Sequence, residues 1–126
     1  MNILAISTST NVCSVSFIDD NKVRTLEKFD VLDHSKYIAV YSKELISEQP
    51  FDYIAVAIGP GSYSGIKVGV SFAKGLSMAL AKSIIPVDTF QAMNELIKCK
   101  SKYYISVYSH RDYLYQQLYN QFFYSK

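Results

Sequence analysis

Seven consecutive residues, Gly59-Pro60-Gly61-Ser62-Tyr63-Ser64-Gly65, are the stretch of this chain whose types and spacing come nearest to a chemical device. Gly61 and Gly65 permit backbone shapes that a side chain would forbid, while Pro60 fixes its own φ and biases Gly59 toward extended conformations. Ser62 and Ser64 are both competent N-caps for a helix that follows, so the first-turn amides could cradle an anion such as a nucleotide phosphate. Gly59, Gly61, Ser62, Ser64 and Gly65 thus form a candidate phosphate loop. The same composition also serves as a tight strand-to-helix turn that holds no ligand. The stretch is not a Walker loop, because Lys67 stands two residues after Gly65 and no G-K-[ST] triplet occurs. Nor is it G-x-G-x-x-G, since the third glycine falls one residue late.

Other reactive side chains are sparse. Cys13 and Cys99 are far apart and accompanied by His34 and His110 alone, which argues for buried or idle thiols rather than a disulfide framework or a zinc site. No set of nucleophile, base and orienter assembles from these residue types, so no catalytic residue, metal site or cofactor is expected. A net charge of +2, from 13 basic and 11 acidic residues, is too balanced to require nucleic acid or an anionic membrane as partner. No apolar stretch is long enough to span a bilayer, and Met1-Asn2-Ile3-Leu4 lacks the basic lead and long apolar run of a signal peptide. The cytoplasm is the expected compartment.

The elements that must position the glycine loop can be read from periodicity. Tyr53 to Ile58 carries no charge and reads as a strand buried on both faces, and Ile66 to Leu80 has the apolar spacing of a helix. Upstream, Ile3 to Ile6 and Val12 to Ile18 form a hairpin around Ser7 to Asn11. The Asp19-Asp20-Asn21 turn leads into an edge-like strand from Lys22 to Phe29. Lys36 to Ser47 is a helix with Ile38, Tyr41, Leu45 and Val40 toward one face, closed by Gln49-Pro50. Ser83 to Val87 is a short strand, and Asp88 or Thr89 caps a third helix reaching about Ile97. A meander of three strands that runs into βαβ crossovers predicts an α/β fold of RNase-H-like layout, with a mixed five-stranded sheet over residues 1–98.

Residues 99–126 are expected to be a linker and a strand pair, Tyr103 to Val107 and Tyr113 to Tyr119, around Ser109-His110-Arg111-Asp112. Seven of the 11 tyrosines fall between 103 and 124. Interleaved with Arg111 they could stack bases, but tyrosine is also a strong strand former, and packing is the favoured reading.

The long helix carries Gly65, Gly69 and Ala73 at four-residue steps, with Gly75 and Ala79 on a neighbouring stripe. Helix-interior glycines cost about 1 kcal/mol each relative to alanine, so another backbone is expected to approach closely. That backbone could belong to the chain's own sheet or to a helix of a partner subunit.

With these pieces placed, the chain resembles the bacterial TsaB (YeaZ) family of tRNA threonylcarbamoyladenosine biosynthesis proteins, within the actin-like ATPase superfamily. The matching residues are Ile3 to Thr10 with Cys13-Ser14-Val15, Asp33-His34-Ser35, Gly59 to Gly69, and Ala73-Lys74-Gly75-Leu76. The resemblance covers residues 1 to about 95, and the strand pair looks like the start of the family's second lobe in truncated form. It implies a noncatalytic role beside a TsaD-type transferase that modifies the adenosine next to the anticodon of tRNAs reading codons that start with A. A TsaE-type ATPase would join, a homodimer would form when the chain is alone, and tRNA would be touched only indirectly. The family's pairing surface, the first two helices, implies Tyr37, Tyr41, Lys67, Gly65, Gly69, Phe72, Ala73 and Leu76 as partner-interface residues, with Gly69→Leu abolishing pairing and sparing the fold.

Two departures speak against catalysis. Ser7 stands where the family commonly has aspartate, and a hydroxyl cannot supply that charge. His34 stands alone, whereas TsaD-like metal sites use paired histidines, so a helix cap or surface contact is expected of it. The alternatives are an independent nucleotide-binding transferase, a glycoprotease-type hydrolase, which the absence of a Ser-His-Asp set disfavours, and a self-associating remnant.

Overall fold

The computed structural model describes residues 1–20, 22–47, 49–110 and 112–120. Alternating apolar residues build the first hairpin. Leu4 and Ile6 of β1 (Ile3–Ser7) and Cys13, Val15 and Phe17 of β2 (Cys13–Ile18) point to one face and are fully buried or nearly so. The two strands pair antiparallel, with Leu4 opposite Phe17 and Ile6 opposite Val15. β3 (Val23–Lys28) continues the meander and lies at the sheet edge, as its charged pattern predicts. The Asn21 part of the preceding turn lies outside the described residues.

Two crossovers complete the sheet. α1 (Ser35–Ile46) leads to β4 (Tyr53–Gly59), and α2 (Tyr63–Leu80) leads to β5 (Ser83–Asp88). β4 pairs parallel with both β1 and β5, giving the order β3-β2-β1-β4-β5. Both crossovers step in the same direction along the sheet. Right-handed connections therefore place both helices on one face, where Ile38, Leu45 and Ala73 join Leu4, Ile6, Val15, Phe17, Ile54 and Val56 in a single core. This is the mixed α/β, RNase-H-like layout expected from the sequence.

Several local expectations are corrected. β4 is buried on one face only: Ile54 and Val56 are covered, but Tyr53 and Ile58 are exposed and Ala55 and Ala57 are half-buried. The reason is that α3 (Thr89–Glu95) spans only seven residues and shields a small part of the face opposite α1 and α2. α2 begins a turn earlier than its apolar spacing suggests, because Ser62 is the N-cap and accepts a hydrogen bond from the Gly65 amide at 3.3 Å. Ser64 lies inside the helix. Val40 is 59% exposed and takes no part in the buried face of α1.

α3 is capped by Asp88, which accepts from the Gln91 amide at 2.8 Å. It packs with β6 (Tyr103–Tyr108), which pairs antiparallel with β7 (Leu114–Tyr119) in a separate two-stranded sheet. Phe90, Ile105 and Val107 form the small core between them, and Tyr103 stacks on Tyr119 at 5.9 Å. Tyrosine packing thus holds for Tyr103 and Tyr119, while Tyr104 and Tyr108 on the other face are exposed. Tyr113 sits in the turn against the His110 ring rather than in the strand. Arg111 and Tyr124 lie outside the described residues. No described helix is long and apolar enough to cross a membrane.

Candidate functional site

The glycine loop meets the turn that follows β1, and this contact accounts for the glycines. A Cβ on Gly61 would fall well inside van der Waals contact of the Ser9 carbonyl oxygen, and one on Gly65 would collide with the Thr8 carbonyl oxygen. A Cβ on Gly69 would strike Thr8 Oγ1. The same hydroxyl donates to the Gly65 carbonyl at 2.7 Å, and the Ser62 amide donates to the Ser9 carbonyl at 2.7 Å. Thr8 and Ser9 are buried at 1% and 2% exposure.

The positive φ in the loop belongs to Gly59, at 107°, so Pro60 does not hold that residue extended. Gly61 and Gly65 are glycines because another stretch of the same chain lies against them. The candidate phosphate loop is therefore largely filled by its own chain, and the first-turn amides left without an intrahelical acceptor by position are those of Tyr63 and Ser64.

The residues expected at a partner interface divide in two. Gly65, Gly69 and Ala73 are buried against the sheet and the Thr8 turn, so they cannot meet a partner. Close packing on the chain's own sheet is the reading the structure supports for this stripe, and Gly69→Leu would damage the fold itself. Tyr37 and Tyr41, 5.9 Å apart, Phe72 and Leu76 are half-buried at the core margin. Lys67 is exposed, with its ammonium 4.1 Å above the Tyr63 ring. The second small pair behaves differently. Gly75 and Ala79 are exposed, and among the described residues a Cβ on Gly75 would meet nothing within 4 Å. Val68, Phe72, Gly75 and Ala79 follow the heptad-like spacing that places residues along one flank of a helix.

His34 is neither a side-chain cap nor a surface contact. It precedes α1 at 6% exposure and makes no capping hydrogen bond; its ring is met by the Thr10 backbone, and its Nδ1 is buried with no hydrogen bond that meets ordinary geometry among the described residues. The local turn is instead held by Asp33, whose Oδ1 accepts from the Ser35 amide at 3.1 Å and the Ser35 hydroxyl at 2.5 Å. That hydroxyl, more than any other influence, holds the Asp33 carboxyl below its ordinary pKa.

Burial pushes the His34 imidazole below its ordinary 6.5, against the opposing pull of the Thr10 backbone and of Asp33. Between the folded pKa and 6.5 the unfolded chain takes up a proton that the folded chain refuses, so stability should fall as pH drops through that window and stay level above it. Urea denaturation from pH 7.5 to 5.5 should show this slope, and His34→Gln should flatten it; an equal slope in both proteins would mean that His34 is not the titrating group.

His34, Thr10, Asn11, Val31, Leu32, Ser62, Ser64, Tyr108 and Ser109 line a crevice of about 400 Å³ beside the amino end of α2. Nothing in the sequence brings Thr10, Ser62 and Ser109 together, because they belong to three separated segments. Cys13 is buried, its thiol pushed up by desolvation, and donates weakly to the His34 carbonyl at 3.9 Å. Cys13 and Cys99 are both free. Ser7 Oγ lies 3.3 Å from Ser9 Oγ. On the opposite sheet face a shallow apolar depression of about 300 Å³ lies among Ala5, Ala55, Ala57, Val87, Ala92 and Met93. Among the described residues no three His, Cys, Asp or Glu side chains converge.

With this geometry in place, comparison with known proteins gives consistent matches. A family model described as TsaD, tRNA N6-adenosine threonylcarbamoyltransferase, matches residues 33–108. The tRNA threonylcarbamoyladenosine biosynthesis protein TsaB of Buchnera aphidicola (subspecies Baizongia pistaciae) is 31% identical over 101 residues, covering 75% of this chain and 46% of the relative. TsaB of Escherichia coli K12 is 29% identical over 98 residues, covering 74% of this chain and 42% of the relative. The solved structure of YeaZ from Pseudomonas aeruginosa superposes with a TM-score of 0.78 at 22% identity, over 95% of this chain and 60% of that one, which establishes the shared fold. The chain spans less than half the length of these curated TsaB relatives.

Proposed function

Because this chain belongs to the TsaB (YeaZ) branch of that family, we propose that it is a noncatalytic activating subunit for a TsaD-type transferase. The assembly would install threonylcarbamoyl on the adenosine beside the anticodon of tRNAs that read codons starting with A. Pairing runs through α1 and α2, and the same surface makes a homodimer when the transferase is missing. A TsaE-type ATPase joins the larger assembly, tRNA is contacted only through the partner, and the work is done in the cytoplasm.

The observation that carries the pairing surface is Gly75. It is an exposed glycine inside an 18-residue helix, and no contact among the described residues explains it. A helix laid along Val68, Phe72, Gly75 and Ala79 would supply the missing reason, since small residues let two helix axes approach. A noncatalytic role is supported by the β1 end, where Ser7, Thr8, Ser9 and Thr10 offer hydroxyls and no carboxylate for a phosphate-bound metal. The reading of an independent nucleotide-binding transferase or hydrolase loses ground because the Ser62 amide is already satisfied by Ser9.

Solution mass by size exclusion with light scattering tests the proposal. The chain alone should run as a dimer and, mixed with the TsaD-type protein of the same organism, convert to a one-to-one heterodimer. A mass that ignores the partner would remove the pairing role.

A further inference from the structure

We propose that the open face of the β6–β7 hairpin is a contact between two copies of this chain, stacked face to face about a two-fold axis that runs along the strands. One face of the hairpin is used within the chain, where Ile105 and Val107 are buried with Phe90 of α3. On the other face Tyr104, Tyr108, Leu114 and Leu118 are each 49–65% exposed. A two-stranded sheet is marginal in water unless it is covered, and the seven-residue α3 covers one side of this one.

Three features favour a second copy as the occupant. The first is area. The four side chains together expose about 450 Å², so two copies in contact would bury about 900 Å² in all, the size of a weak and reversible association. The second is charge. The strands Tyr103–Tyr108 and Leu114–Tyr119 hold no lysine, arginine, aspartate or glutamate, so two identical faces meet without like-charge repulsion.

The third is register. Tyr104 stands opposite Leu118 and Tyr108 opposite Leu114, so on this face the tyrosines line β6 and the leucines line β7. An axis along the strands lays β6 of each copy over β7 of the other. Large rings then meet smaller side chains, as interdigitating sheet faces require. Ser106 and Gln116 fall between them and are hydrogen-bonded to each other at 2.9 Å, which lowers the cost of covering them. The surface is carried by elements other than α1 and α2, so it stands whether or not those helices pair.

The test is sedimentation equilibrium of the full chain in a Gly75→Leu background, chosen to remove pairing through α2. A self-association step should appear with a Kd on the order of 100 µM. Leu118→Lys and Tyr104→Glu change exposed positions, so each should leave the circular dichroism spectrum intact and weaken that step at least tenfold, to about 1 mM or beyond. Mixing the two variants should restore it, because the new cation of one copy then faces the new anion of the other. If Gly75→Leu leaves the α2 pairing in place, the same step appears as dimer to tetramer and the same two variants remove it, which tells failure of that reading from failure of this one. No further association up to about 1 mM, a step that neither variant weakens, or variants that do not complement each other would overturn the proposal.

Discussion

Replacing Gly65 by alanine should cost about 3 kcal/mol of folding stability, seen as a lowered midpoint in urea or thermal denaturation. The added methyl would occupy the space of the Thr8 carbonyl oxygen, a main-chain atom in a turn tied down by the bond from the Ser62 amide to Ser9. His34 Nε2 and Ser62 Oγ, each 3.3 Å from the same point, close the remaining directions. Gly69→Ala should cost less, about 1–3 kcal/mol, because it strikes a side-chain oxygen, Thr8 Oγ1.

The two sites are separable by a double-mutant cycle. Thr8→Ala removes the hydroxyl that Gly69→Ala strikes, so that pair should be less damaging than the sum of its parts. Thr8→Ala cannot relieve Gly65→Ala, whose obstacle is backbone. Simple additivity for Gly69 and Thr8 would show that the stripe does not rest on that residue.

Gly75→Leu should have the opposite signature, a firmer chain that no longer pairs. Leucine in a helix interior is better than glycine by about 0.8 kcal/mol, and space at Gly75 is open, so the isolated chain should gain stability. Against a docked helix the same side chain would hold the two axes apart and cost about 2–3 kcal/mol, near a hundredfold in Kd. Gly75→Ala should fall between. A Gly75→Leu chain that is more stable and pairs as well as the parent would leave the glycine with no interface role and place the partner elsewhere.

The order of elements is legible in the sequence because alternation in Val12 to Ile18 and helical spacing in Ile66 to Leu80 are local signals. What the glycines touch is not local. The four-residue spacing of Gly65, Gly69 and Ala73 announces a close neighbour, but the neighbour, Thr8, stands 57 residues before Gly65 and is chosen by the sheet order. Tyr53 to Ile58 misleads for a related reason: an uncharged run looks the same whether one face or both are covered, and coverage depends on the length of α3. His34 is a third case. A histidine before a helix reads as a cap, yet its burial follows from where the Thr10 turn and the start of α2 arrive.

Pro86 has a consequence for what the sheet can recruit. It lies in β5, the outer strand beside β4, and a proline has no amide to offer an incoming strand. At the far margin, β3 presents Arg24, Glu27 and Lys28, charges that discourage a flat apolar addition. Sheet extension is thus guarded at both margins of the large sheet. Among the described residues the strands β6 and β7 hold no proline or charge, and Tyr104, Tyr108, Leu114 and Leu118 make their open face greasy. In concentrated solution, edge-to-edge polymerisation should therefore start at the hairpin, and lysine at Leu118 is the change that should suppress it.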